Sequence, residues 1–148
     1  MRISRHRHNQ ACTLVEVVVS LMIVALSMTG IISMYVQSAL RSDYSAHALA
    51  AQMMALGGLE QVRGAKYDPL GSPATDELVA TNFPQRVDVL DVGYSSAVAT
   101  YATNTFTISV VSTNPLVKMV QVDCTWRFPG RTTIITNTVS TYRAPNQQ

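Results

Sequence analysis

The sequence is poor in the residues that carry out chemistry. Among its 148 residues are two cysteines, Cys12 and Cys124, and three histidines, His6, His8 and His47. No histidine has a cysteine or carboxylate partner at the spacing a metal site needs. The chain contains no Cys-x-x-Cys, no Gly-rich phosphate loop and no Gly-x-Ser-x-Gly elbow. Asp76, Glu77, Asp88 and Asp91 are loosely grouped. Calcium, however, wants roughly six to eight converging oxygens, so these acids read as a solvated loop surface. The expectation is a protein that is not an enzyme and that uses no metal and no cofactor. The two cysteines lie at the start of an apolar run and in a predicted strand, too far apart for an intrachain disulfide.

Charge is also scarce: 14% of residues are charged, against 47% hydrophobic. Arg2, Arg5 and Arg7 crowd the N-terminus, and without them the formal charge falls from +2 to −1. The basic balance is therefore a local signal at one end of the chain, and no nucleic-acid partner is expected.

What the sequence has in quantity is a long apolar run, residues 11–36. Between Cys12 and Val36 the one charged residue is Glu16. The run is about long enough to cross a bilayer as a helix. Arginines just before it favour a cytoplasmic N-terminus. The expectation is a single-pass segment over about 12–36 in contact with membrane lipid. Glu16 does not fit that description, because an ionised carboxylate in hydrocarbon costs several kcal/mol. Two readings compete. Thr13-Leu14-Val15-Glu16 spells a capping box, which satisfies free backbone N–H groups at a helix start. Alternatively, the acid is placed to meet a positive partner.

A short basic leader, the small residue Ala11, and then Cys12-Thr13-Leu14-Val15-Glu16 running into an apolar helix resembles the class III signal of type IV pilins and pseudopilins. This chain has Ala11 where family leaders usually end in Gly, and Cys12 where Phe is commonest. The resemblance implies that a prepilin peptidase/N-methyltransferase removes residues 1–11, cutting between Ala11 and Cys12, and methylates the new amine of Cys12. It also implies that Glu16, fifth in the mature chain, is needed for assembly, with Thr13 and Leu14 in the recognised motif. Partners implied are other pilins or pseudopilins in a filament or tip complex, and an inner-membrane assembly platform. The physical counterpart is an attraction between Glu16 of one subunit and the Cys12 amine of another. At ~4 Å and an effective dielectric of ~20 it amounts to about 4 kcal/mol before desolvation.

After Val36 the helical pattern continues. Leu40, Tyr44, Ala48, Ala51, Ala55, Leu59 and Val62 recur at three- and four-residue steps. The spacing predicts one helix over 12–63, some 75 Å long at about 1.5 Å per residue. Gly30 and Gly57-Gly58 interrupt it, each costing about 1 kcal/mol relative to Ala. The bland reading is close helix approach or a kink; at Gly30 the functional reading is local melting on leaving the bilayer. Leu59-Glu60-Gln61-Val62-Arg63, with Tyr67 after it, resembles the helix end of minor pilins and minor pseudopilins.

Gly64 suits a helix C-cap, and 64–76 reads as loop, with Asp68-Pro69 and Gly71-Ser72-Pro73. Strands are expected over 86–90, 103–112, 117–128 and 132–142, the last two joined by a turn at Pro129-Gly130. Val120, Val122, Cys124 and Trp126 share one strand face, with Trp126 read as core. The fold class expected is α+β: a long N-terminal helix packed through its second half on a small antiparallel sheet, in the pilin-like manner. Residues 64–148 would form a β-rich periplasmic head.

Taken with the resemblance, the expected role is a non-catalytic minor pilin or minor pseudopilin of a type IV pilus or type II secretion pseudopilus. It would wait in the inner membrane and then enter a periplasmic or cell-surface filament. One alternative is a single-pass membrane-anchored periplasmic binding or sensor module, indifferent to Glu16. Another is a secreted β-domain cut near Ala46-His47-Ala48. A lipoprotein is excluded by order, since its apolar stretch precedes the cysteine.

Overall fold

The computed structural model describes residues 13–90 and 99–146. The expected leader, Ala11, Cys12 and Asp91 lie outside the described residues. The chain divides into two compact units, residues 1–41 and 42–148. Helix α1, Leu14–Arg63, contributes to both.

In the first unit the helix is apolar all round, and every described side chain is exposed within the chain's own fold. Leu21, Leu26, Ile31 and Met34 are each at least 64% exposed. Four hydroxyls in this stretch each donate to the carbonyl one turn back: Ser20 to Glu16 at 2.7 Å, Ser27 to Ile23 at 2.8 Å, Thr29 to Ala25 at 2.9 Å and Ser33 to Thr29 at 2.9 Å. These polar groups are thus satisfied without water, as hydrocarbon requires. The helix is unbroken at Gly30.

In the second unit the expected stripe becomes the core. Ala51, Ala55, Leu59 and Val62 are buried in one cluster with Val120, Val122, Cys124 and Trp126. Strands β3 (Arg86–Leu90), β4 (Thr100–Thr113), β5 (Leu116–Arg127) and β6 (Ile134–Arg143) form an antiparallel meander in chain order. The register pairs Phe106 with Val122 and Val122 with Val139. One face of the central strands therefore stacks apolar side chains against the helix, and the other presents a largely polar set, Thr103, Thr105 and Thr107 from β4 and Gln121, Asp123 and Thr125 from β5, with Tyr101 and Met119 among them. Gly58 is where the helix comes closest: a Cβ there would meet Phe106 at 3.2 Å and Val122 at 3.3 Å. Gly57, its neighbour, faces open space.

The stretch expected to be loop contains a two-residue ladder, β1 (Tyr67–Asp68) with β2 (Thr75–Asp76), and a 3-10 turn at Ala80–Asn82. Gly64 follows the last helical residue, as expected of a C-cap, but without the left-handed conformation, since the one positive φ among the described residues is at Gly130, in the β5–β6 turn. The helix ends instead on hydrogen bonds from Gly64 N–H to the Glu60 carbonyl and Ala65 N–H to that of Val62. Arg143, from the last strand, donates to the carbonyls of Arg63 and Ala65. A cation at the C-terminal carbonyls also complements the helix dipole.

Candidate functional site

The start of α1 carries the described part of the predicted signal. Thr13 N–H donates to Glu16 Oε2 at 2.9 Å and Glu16 N–H donates to Thr13 Oγ1 at 3.3 Å, with Thr13 Oγ1 also donating to Glu16 Oε2 at 3.1 Å. This is the reciprocal capping box, so the carboxylate neutralises orphan donors of the first turn. It also sits at the positive end of the helix dipole. Both effects hold the acid at the helix mouth. Leu14, 81% exposed, and Val15, 68% exposed, flank it with bare apolar surface. Glu16 is therefore fixed and exposed on a helix whose surroundings are hydrophobic. Ala11 and Cys12, the proposed cleavage pair, lie outside the described residues.

The second unit holds two polar arrangements that the sequence reading did not anticipate. Lys118 is 8% exposed, on the inner face of β5. Its ammonium lies 2.5 Å from Asp76 Oδ2 and 2.8 Å from the Leu78 carbonyl, and 4.9 Å from the centroid of the Tyr67 ring. The lysine thus ties the loop after the helix to the middle of the sheet. Tyr67 is fully buried, and its hydroxyl has no hydrogen-bond partner among the described residues. Burial, then the nearby Asp76 carboxylate, pushes its pKa up.

Asp76 is exposed, as the reading of a solvated acidic surface expects, but it has a structural partner as well. It is an ion-pair partner, and its other oxygen accepts from Leu78 N–H at 3.1 Å. Glu77 accepts from Lys66 N–H at 2.7 Å, and Asp88 pairs with Arg86 at 2.6 Å. These acids are committed to separate partners. Among the described residues no three of His, Cys, Asp or Glu come together as a metal site.

The other arrangement pins the helix to the sheet. Asn104 donates to the Met54 carbonyl at 3.1 Å, and Asn137 donates to that of Ala48 at 3.3 Å. Trp126, 2% exposed, is core as expected, with its indole N–H on Asn137 Oδ1 at 2.8 Å. His47 stacks on Trp126 with ring centroids 5.8 Å apart, and its Nδ1 lies 2.8 Å from the Asp43 carbonyl, which requires the proton on Nδ1. His47 is thus a packing residue. Alternation alone signalled both sites, because Lys118 and Asn104 fall on the buried parity of their strands.

No protein-family model, curated protein or solved structure matches this chain.

Proposed function

We propose that this chain is a non-catalytic structural subunit, a minor pilin or minor pseudopilin, of a type IV pilus or type II secretion pseudopilus. The observation that carries the reading is the N-terminal part of α1. It is a helix long and apolar enough to cross a membrane, with none of its most apolar 18-residue window buried inside the fold. Such a surface needs lipid or the helices of like subunits around it. The Ala11-Cys12-Thr13-Leu14-Val15-Glu16 resemblance supplies the rest. The inner-membrane precursor loses residues 1–11 to prepilin peptidase, its Cys12 amine is methylated, and its head stands in the periplasm. Assembly then pairs the Cys12 ammonium of one subunit with Glu16 of another, burying both charges together.

The capping box supports a second reading, an ordinary single-pass anchor for a periplasmic binding or sensor module, because it gives Glu16 a local role. Glu16→Gln separates the two. Glutamine keeps an acceptor for Thr13 and therefore the cap, but it has no charge to offer an ammonium. The filament reading predicts a variant that inserts in the membrane at wild-type level and enters the filament at less than about a tenth of that level, the tenfold following from loss of ~1.4 kcal/mol or more. Equal incorporation would leave the anchor reading standing. Immunoblots of sheared filament and membrane fractions give the answer.

A further inference from the structure

One end of the second unit gathers aromatic, apolar and basic groups. The β5–β6 turn, residues 128–133, meets the first helical turn of that unit there. The Tyr44 ring lies 5.9 Å from that of Phe128 and 5.8 Å from that of Trp126, with His47 stacked on Trp126 behind them. Tyr44 itself is 44% exposed. On the outer face of the sheet, Tyr101 and Arg127 each sit one position beyond the Ala102–Trp126 pair, and Ile134 is opposite Arg127. Ala102 and Trp126 are buried against the helix, so alternation turns these three outward. Tyr101 and Ile134 are each 62% exposed.

Arg127 and Arg131 stand at the same end, both exposed, and neither guanidinium has a partner among the described residues. Arg63, Arg86, Lys118 and Arg143 are each held by a carboxylate or a backbone carbonyl. Exposed arginines are ordinarily solvated by water; these two differ in standing among uncovered aromatic and aliphatic side chains.

The chain itself ties this end to the apolar segment. Residues 37–44, eight helical positions, lead from Val36 to Tyr44 and span about 12 Å at ~1.5 Å per residue. The headgroup layer outside the hydrocarbon is itself roughly 5–8 Å deep. Arg41 lies on this stretch, with Asp43 as its one acid. Tyrosine favours the membrane–water boundary, where its ring is covered and its hydroxyl stays wet. Arginine lays its stem along apolar surface and offers its charge to phosphate.

We infer that this end of the head docks on the anionic phospholipid surface of the membrane that holds the same chain. Arg127 and Arg131 meet lipid phosphates, and Tyr44, Tyr101, Phe128 and Ile134 lie at the headgroup boundary. Resting on the membrane-spanning reading of α1, this role serves a filament subunit before extraction and a plain anchor alike. For a filament subunit it adds a step, release of the head from lipid as the helix leaves the bilayer.

Headgroup quenching tests the docking. The full chain with Cys12→Ser is reconstituted in phosphatidylcholine vesicles containing about one-third phosphatidylglycerol, the anionic lipid. A fluorophore is attached at Thr132→Cys, in the β5–β6 turn, or at Thr113→Cys, at the far end of β4, while Cys124 is buried. A lipid with a nitroxide on its headgroup should quench the label at 132 at least about fivefold more than the label at 113. That excess should fall by more than half when phosphatidylglycerol is replaced by phosphatidylcholine, and likewise in the double variant Arg127→Gln, Arg131→Gln. Equal quenching at the two positions in vesicles that carry the chain would overturn the docking alone. So would an excess at 132 that either change leaves unmoved, because the tether then accounts for it. A chain that does not float with the vesicles would overturn the membrane reading and the docking with it.

Discussion

Three side chains show how local chemistry decides what each can do. Glu16 has two demands on it, a cap it already completes and a partner charge that the proposed assembly would bring; Glu16→Gln separates them because only the second needs ionisation. Lys118 is a buried ammonium with a carboxylate, a carbonyl and an aromatic face around it. Removing the charge with Lys118→Met leaves the Leu78 carbonyl without its donor and Asp76 without its counter-ion. The Asp76 side chain is 36% exposed, so water screens part of the loss. The expected destabilisation of the head is about 1–3 kcal/mol, read from urea unfolding, and Asp76→Asn should lower stability by less.

Cys124 is fully buried beside the helix, and that burial pushes its thiol up to about 11 from 9.0. Its protonated form is therefore the one that folding favours. Stability from this group is complete below pH 9.0 and declines as pH rises toward about 11, because the unfolded chain releases the proton first. Tyr67, also raised, adds loss in the same direction further up. Unfolding midpoints measured across that alkaline range should fall, and Cys124→Ala should flatten part of the slope while lowering stability at neutral pH. A midpoint that rises with pH would contradict the burial of this thiol.

At the level of elements, α1 is governed by two different requirements along one helix. Residues 42–63 need one apolar face for the sheet, whereas the earlier turns are apolar all round, with the hydroxyls of Ser20, Ser27, Thr29 and Ser33 turned back on the backbone. Gly58 belongs to the first requirement. Gly58→Val would press on Phe106 and Val122 and should cost about 1–3 kcal/mol. Gly57→Ala, with open space around the new methyl, should gain up to about 1 kcal/mol through helix propensity. Equal effects of the two substitutions on thermal unfolding would contradict the close approach at Gly58.

The same contrast explains what the amino-acid order made legible. Residues 14–63 were readable as helix because the apolar stripe Ala48, Ala51, Ala55, Leu59 and Val62 repeats over several turns. Strands β4 to β6 were readable to within three residues at each end because their alternation is sustained. The ladder of Tyr67–Asp68 with Thr75–Asp76 was not, since two residues are too few for any period. The Lys118–Asp76 pair was missed for another reason. Its partners are 42 positions apart, and nothing local announces that a loop aspartate folds back onto the sheet. Thr13 and Glu16 were legible as a capping box, and the cap forms. Whether Glu16 also serves a second subunit depends on chains other than this one.

For the molecule as a whole, the distribution of apolar surface is the central fact. The second unit buries its apolar side chains in one core between helix and sheet. The first unit leaves Leu14 through Val36 exposed, which one chain in water does not sustain. The proposed life of the protein, membrane first and filament afterwards, gives that surface cover at both stages. A signal anchor gives it cover once, and a secreted domain discards it. These histories leave different polypeptides behind. The intact mass of the chain recovered from cells that make the prepilin peptidase therefore tests the account most directly. The account predicts a polypeptide that begins at Cys12 and carries one added methyl group. A chain that retains residues 1–11, or one that begins beyond Val36, would contradict it.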